Sequence, residues 1–246
     1  MERWADPTAD KSYLERVWLN RLVRASERAF DVLAWDKLAR ADYEPEPGAA
    51  ITLGFDGARF RDSVALVGTE IVTGYQWVVG LWEKPEGIEQ WEAPAPEILE
   101  TVAQAFERWN VARMYCDPPY WESSVADWAG QYGGKVVFEW WTNRTKVMAF
   151  ALRSFQSAIA AGDLSHSGDP RLRRHLGAAH KRFLLARDDD DKPLWNIYKE
   201  RADSPHKIDA AMAAVLSWEA RNDALADGAG VSQVSVYEEK ELLVLG

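Results

Sequence analysis

Between residues 49 and 82 three apolar, strand-like runs follow one another almost without pause: 51–56 (Ile-Thr-Leu-Gly-Phe-Asp), 63–70 and 74–82, joined by the short turns 57–61 and 71–73. A parallel return needs a crossover of a dozen or more residues, so links this short dictate an antiparallel meander. Any later strand can then pair only at an outer edge of that meander.

The following segments supply such strands. Pro94 and Pro96 open a helix whose face carries Ile98, Leu99, Val102, Phe106 and Trp109, and the run 111–116 comes directly after it. A strand that follows a crossover helix usually returns parallel to an earlier one. A helix over 121–131, a strand over 135–140 and a helix from Asn143 to about 161 come next, the last with Met148, Leu152, Phe155 and Ile159 on one face and Gly162 just beyond. A shorter helix over 170–179 leads to two arms of a hairpin, 182–186 and 194–198, around the acidic tip 188–192. Ser204-Pro205 starts a final helix to about residue 221. This order matches an α/β architecture of the ribonuclease H-like kind. It predicts a mixed five-stranded sheet, three strands antiparallel and then two parallel, flanked by helices, with the first and fourth strands side by side and an accessory β-hairpin.

The flanks read differently. Tyr13, Val17, Leu19, Leu22 and Val23, then Phe30, Val32, Leu33 and Trp35, recur at helical spacing before Pro45, Pro47 and Gly48 break the pattern. Residues 1–48 are thus a helical linker segment, 49–222 the main domain and 223–246 an acidic tail. Hydrophobic residues make up 47% of the chain, enough for a sizeable core. No apolar run approaches the roughly 18 residues of a membrane span, and the first residues lack a signal peptide's apolar core, so a cytoplasmic location is expected. The single Cys116 excludes an internal disulfide and a cysteine-rich zinc site, and the four histidines show no metal-binding spacing. Net charge −10 argues against coating nucleic acid by bulk electrostatics, although 171–187 carries six Arg/Lys residues before any acid appears.

Two of the expected strands end in a carboxylate, Asp56 and Asp117, and a third acid, Asp209, sits in an alanine-rich, apolar helix turn. Neighbouring strands lie about 4.8 Å apart, so Asp56 and Asp117 would meet at one edge of the sheet and repel each other unless a cation intervened. An all-oxygen site suits Mg2+ or Mn2+, and a pair of such ions suits phosphodiester hydrolysis without histidine. Asp56 before Gly57 also reads as a turn residue. An unpaired carboxylate at Asp209 would be costly where its neighbours are apolar. Asp62 reads as a turn or strand-start residue sooner than as a second acid behind the metal ligands, and Asp203 as a cap-region residue sooner than as a ligand.

Three stretches make the chain recognisable: 54–67 (Gly-Phe-Asp-Gly-Ala-Arg-Phe-Arg-Asp-Ser-Val-Ala-Leu-Val), 115–121 (Tyr-Cys-Asp-Pro-Pro-Tyr-Trp) and 204–213 (Ser-Pro-His-Lys-Ile-Asp-Ala-Ala-Met-Ala). They closely resemble the C-terminal nuclease domain of tailed-phage terminase large subunits, over about residues 50–222 and in the family's order. The resemblance implies an endonuclease that cuts concatemeric phage DNA during packaging in the host cytoplasm, with Asp56, Asp117 and Asp209 as metal ligands. It also implies double-stranded DNA, a packaging ATPase, a small terminase subunit and a portal as partners. Full large subunits begin with that ATPase, yet no Gly-x-x-x-x-Gly-Lys-[Ser/Thr] loop occurs here. The chain therefore resembles an excised or separately encoded nuclease half.

Arg59, Arg144, Lys146, Lys181, Arg182 and Lys207 are the candidates for phosphate contacts, Lys207 foremost because it lies two residues before Asp209. Trp77, Trp82, Trp109 and Trp218 fall on apolar patterns and belong to the core, whereas Trp121, beside Pro-Pro-Tyr, is the tryptophan to test for substrate contact. Two other readings use the same residues. Asp117-Pro118-Pro119-Tyr120 is also a signature of adenine N6-methyltransferases, but Gly54-Phe55-Asp56-Gly57 leads into a strand rather than the helix that S-adenosylmethionine binding requires. A non-catalytic packaging module is the other, against which the presence of all three acids weighs.

Overall fold

In the computed structural model, which describes residues 28–60, 62–85, 87–199 and 206–229, the meander forms as its short links demand. A short helix α1 (Val32–Asp36) precedes it, capped by Asp31, whose carboxylate accepts the N–H groups of Leu33 and Ala34. Strands β1 (Ala50–Gly57), β2 (Ser63–Glu70) and β3 (Tyr75–Glu83) then pair antiparallel in succession. Helix α2 (Ala95–Arg108) crosses over and returns the chain as β4 (Asn110–Cys116), parallel to β1. Helix α3 (Glu122–Tyr132) leads to β5 (Val137–Glu139), parallel to β4.

The fold is α/β and ribonuclease H-like, as expected, but the sheet holds six strands in the order β5-β4-β1-β2-β3-β6. After helix α4 (Thr145–Ala161), the two-residue β6 (Ser165–His166) pairs parallel with the start of β3. Two residues are too few for any hydrophobic alternation to reveal. Helix α5 (Pro170–Ala178) runs directly into β7 (Ala179–Arg187), which pairs with β8 (Pro193–Lys199) as a separate hairpin. Helix α6 (Asp209–Ala226) closes the described chain.

Both faces of the sheet are covered, so β2 is buried along its whole length. One core, with Leu53, Phe55, Val102, Val125 and Trp128, lies under α2 and α3. The other, with Leu152, Phe155, Trp195, Leu216 and Trp218, lies under α4, α5, α6 and the hairpin. Of the four tryptophans assigned to the core, Trp218 is buried, while Trp77, Trp82 and Trp109 pack half-buried at its margin.

Helix α6 lies almost flat on β1. A Cβ on Gly54 would stand 2.1 Å from the Ala213 carbonyl oxygen and 2.4 Å from the Ser217 nitrogen, so only glycine permits this approach. The alanines of the helix serve the same purpose from the other side: Ala210, Ala211, Ala213 and Ala214 are all fully buried.

Two helix starts depart from the sequence reading. Helix α4 begins at Thr145 with no side-chain cap, so Asn143 does not cap it. Helix α6 begins at Asp209 itself rather than a turn earlier, and Ser204, Pro205 and Asp203 lie outside the described residues, as does the amphipathic stretch from Tyr13 to Val23. The acidic tip of the hairpin is a structured turn. Asp188 accepts the N–H groups of Asp190 and Lys192 and pairs with Arg153 on α4 at 2.6 Å, which docks the hairpin on the domain.

Candidate active site

The parallel pairing of β1 and β4 ends at Phe55 opposite Cys116, and the N–H of Asp117 donates to the Phe55 carbonyl at 3.0 Å. Asp56 and Asp117 therefore leave adjacent strands at the same edge. Asp209, the first residue of α6, reaches that edge because Gly54 lets the helix lie against β1. The three carboxylates, with Gly57, Ala58, Pro119 and Tyr120, line one cleft of about 190 Å3.

Their electrostatics are unfavourable as they stand. Burial, and then repulsion from Asp209, Asp117 and Asp62, pushes the Asp56 carboxyl well above the ordinary carboxylate range. Burial, with repulsion from Asp62, raises Asp209 to about 6, against a hydrogen bond donated by Ser63 and the charge of Lys199. Burial raises Asp117 too, opposed by Thr142, whose N–H and hydroxyl donate to its two oxygens at 3.1 and 2.9 Å. Such a site gains from a cation, and its all-oxygen donors suit a hard divalent ion. Among the described residues, no three His, Cys, Asp or Glu side chains stand close enough to enclose a single ion. The outer two acids are instead turned onto the hydroxyls of Thr142 and Ser63.

Asp62 faces this cluster and is paired with two lysines, Lys199 at the end of β8 and Lys207 just before α6, the latter at 2.7 Å. The hairpin is thus tied to the acid cluster through Lys199. The start of α6 has no cap of its own, since Ile208 occupies that position. His175, fully buried on α5, supplies one: its Nδ1 accepts the Ala210 N–H at 2.9 Å while Nε2 faces Glu83 at 3.1 Å. Burial lowers the His175 pKa, which favours the neutral ring this role requires.

The basic candidates separate into groups. Lys207 is beside the cleft. Arg59 is in the loop after Asp56, paired with Glu92 at 2.8 Å. Arg144 and Lys146 are exposed at the start of α4, two and four residues beyond Thr142. Lys181 and Arg182 lie on the hairpin, over the rings of Trp195 and Tyr198. Trp121 is not a surface contact. It is 1% exposed, packed edge to face on Phe55, and its Nε1 donates to the Gly57 carbonyl, so it supports the cleft floor from below.

No family model matches the chain. It is 31% identical to the gene 13 protein of Mycobacterium phage D29 over 227 residues, covering 88% of this chain and 36% of that protein, and likewise 31% identical over 200 residues to the gene 13 protein of Mycobacterium phage L5. The chain spans about a third of the length of these curated relatives. Among solved structures, the large terminase of bacteriophage HK97 superposes with TM-score 0.59 at 15% identity, over 78% of this chain and 43% of that one. The large terminase nuclease of thermophilic phage G20c with bound magnesium superposes with TM-score 0.55 at 14% identity, over 79% of this chain and 98% of that one. The chain has the fold of a phage large-terminase nuclease domain. In this large-terminase fold the sheet edge that carries Asp56 and Asp117 is the one that α6 meets with Asp209. The meeting of the three acids was expected from the sequence, and Lys207, named there for phosphate contact, stands beside them paired with Asp62. Ser63, Thr142, His175 and Lys199 were not expected, because the partner each meets in the site is far from it in the chain and no local signal marks the pair.

Proposed function

We propose that the chain is a divalent-metal-dependent DNA endonuclease of a phage packaging machine. The observation that carries this reading is the meeting of three acids from two parallel strand ends and a helix start in one cleft, on the fold of the large-terminase nucleases. Asp56, Asp117 and Asp209 would hold the metal, Mg2+ or Mn2+, and two ions fit the chemistry best. When bound, such ions supply a water of lowered pKa and stabilise the leaving oxygen of a phosphodiester. The chain's own part is to fix three carboxylates: Thr142 orients Asp117, Ser63 orients Asp209, and β2 holds Asp56 in register opposite Ala65. Lys199 and Lys207 offset the acid cluster through Asp62. Arg59, Arg144, Lys146, Lys181, Arg182 and Lys207 are the proposed phosphate contacts.

In this reading the nuclease domain takes in 49–222, 1–48 is a helical linker and 223–246 an acidic tail, but α6 carries the folded domain on to Ala226, and Phe30 and Trp35 of the linker are buried in its core. Its partners are double-stranded DNA, a packaging ATPase, a small terminase subunit and a portal, at work in the host cytoplasm. Among the described residues no helix is long and apolar enough to cross a membrane. The methyltransferase reading loses ground because Gly57 leads through a loop into antiparallel β2 and not into a helix. Plasmid cleavage by the purified chain in Mn2+, Mg2+ and EDTA, beside Asp117→Ala, tests the proposal. Metal-dependent nicking and linearisation, lost in the variant, are expected; a folded protein that cuts nothing under any of these conditions would sink it.

A further inference from the structure

Each strand end that delivers an acid goes on to deliver an aromatic ring. Phe60 follows Asp56 by four residues and Tyr120 follows Asp117 by three. Both rings stand in solvent, 50% and 62% exposed, edge to face with centroids 6.4 Å apart. They line a groove of about 910 Å3 with Glu89, Gln90, Trp91 and Glu92, and this groove shares Ala58 and Tyr120 with the acid cleft. Its wall is tied together. Phe60 pairs by a backbone bridge with Glu92, the Ala93 N–H donates to the Arg59 carbonyl at 2.9 Å, and the Arg59 guanidinium pairs with Glu92 and approaches the Phe60 ring. Tyr120 is held at φ +70°, where side-chain-bearing residues seldom go. Large rings so placed contribute little to the core, and backbone constraint of this kind gathers at functional sites.

We propose that this groove takes one unpaired nucleobase of the substrate strand, next to the scissile phosphate, stacked on Tyr120 and Phe60. The substrate class rests on the nuclease reading above. Aromatic faces stack on any base, whereas a paired duplex hides its base faces and presents only base edges, sugar and phosphate. The carboxylate of Glu89 turns phosphate away from the groove, that of Glu92 being paired with Arg59, and Glu89 and Gln90 offer acceptors and donors to a base edge. Continuity with the acid cleft sets the stacked base beside the bond to be cut. The enzyme therefore cuts best where the duplex is already opened.

The test uses the 246-residue chain and short duplexes that carry 2-aminopurine either in a small central bubble or fully paired. Two readouts are taken: quenching of 2-aminopurine on binding in EDTA, and the ratio of bubbled to paired cutting in Mn2+. Wild type is expected to quench the bubble probe and to cut the bubble faster. The double variant Phe60→Ala/Tyr120→Ala is expected to lose the quenching, and its ratio to fall by roughly tenfold, the scale of one lost base stack. Equal quenching and an equal ratio in both proteins would overturn the proposal and leave the nuclease reading standing. Quenching by wild type alone, with no cutting of any substrate, would keep the groove and remove the nuclease. Cutting without quenching, or neither, overturns the groove. Both rings are exposed, so a matching denaturation midpoint verifies that the variant is folded.

Discussion

At Ser217, midway along α6, the helix meets the sheet through neutral groups. Thr52 Oγ1 donates to the Ser217 carbonyl at 2.9 Å, the hydroxyls of Thr69 and Ser217 bond each other, and Gln76 Nε2 donates to both Thr69 Oγ1 and the Ala214 carbonyl. At Asp209, two turns earlier, the same helix meets the same sheet through carboxylates whose pKa values burial and mutual repulsion push upward. Buried neutral groups with partners hold an interface in one register, whereas crowded acids work against folding. The helix is thus anchored at its middle and loaded at its start. Local cost at a site, compensated elsewhere, is what a protein built to receive a cation would show.

The widest separation between these two regions is expected in catalysis. Asp209→Ala should lower metal-dependent plasmid cutting by about two orders of magnitude or more, with no loss of stability; a variant that cuts like wild type would remove this acid from the mechanism. Next in size, Gly54→Ala should lower stability by about 2–3 kcal/mol in a denaturant titration, because its Cβ meets helix backbone that cannot yield without lifting α6. Ser217→Ala breaks the neutral contact. It should lose about 1–2 kcal/mol while cutting stays as in wild type, and a comparable loss of cutting would show that the two regions are not independent.

The imported cap brings in pH. The folded-state pKa of His175 lies below the unfolded value of about 6.5, so the unfolded chain binds the extra proton first. This contribution to stability is present at neutral pH and is lost as pH falls below about 6.5, by on the order of 1 kcal/mol per pH unit. Protonation also removes the Nδ1 acceptor from the Ala210 N–H. Between pH 7.5 and 5.5 wild type should lose stability relative to His175→Gln, the burial-raised Asp56 and Asp209 working the other way in both proteins; parallel denaturation curves would refute the assignment. The smallest effect is a gain. Asp56→Asn should stabilise the metal-free protein at neutral pH by about 1 kcal/mol while abolishing its response to added Mn2+, as read by thermal unfolding.

Much of the fold was legible because its signals are local. Turns of a few residues force the meander, the crossover helix sends β4 back beside β1, and a carboxylate directly after each apolar run marks Asp56 and Asp117. Asp209 stood out against its alanines. These inferences need only neighbours within a few positions and the periodicities of strand and helix. The tertiary structure decided the rest. It started α6 at Asp209 and capped it with His175 from α5, and it turned Ser63 and Thr142 onto two of the acids. It placed Lys199 against Asp62 and sank Trp121 beneath the cleft, leaving Tyr120 and Phe60 outside. Those partners are set by which elements pack together, and a hydrogen bond between residues far apart in the chain leaves no periodicity in either segment.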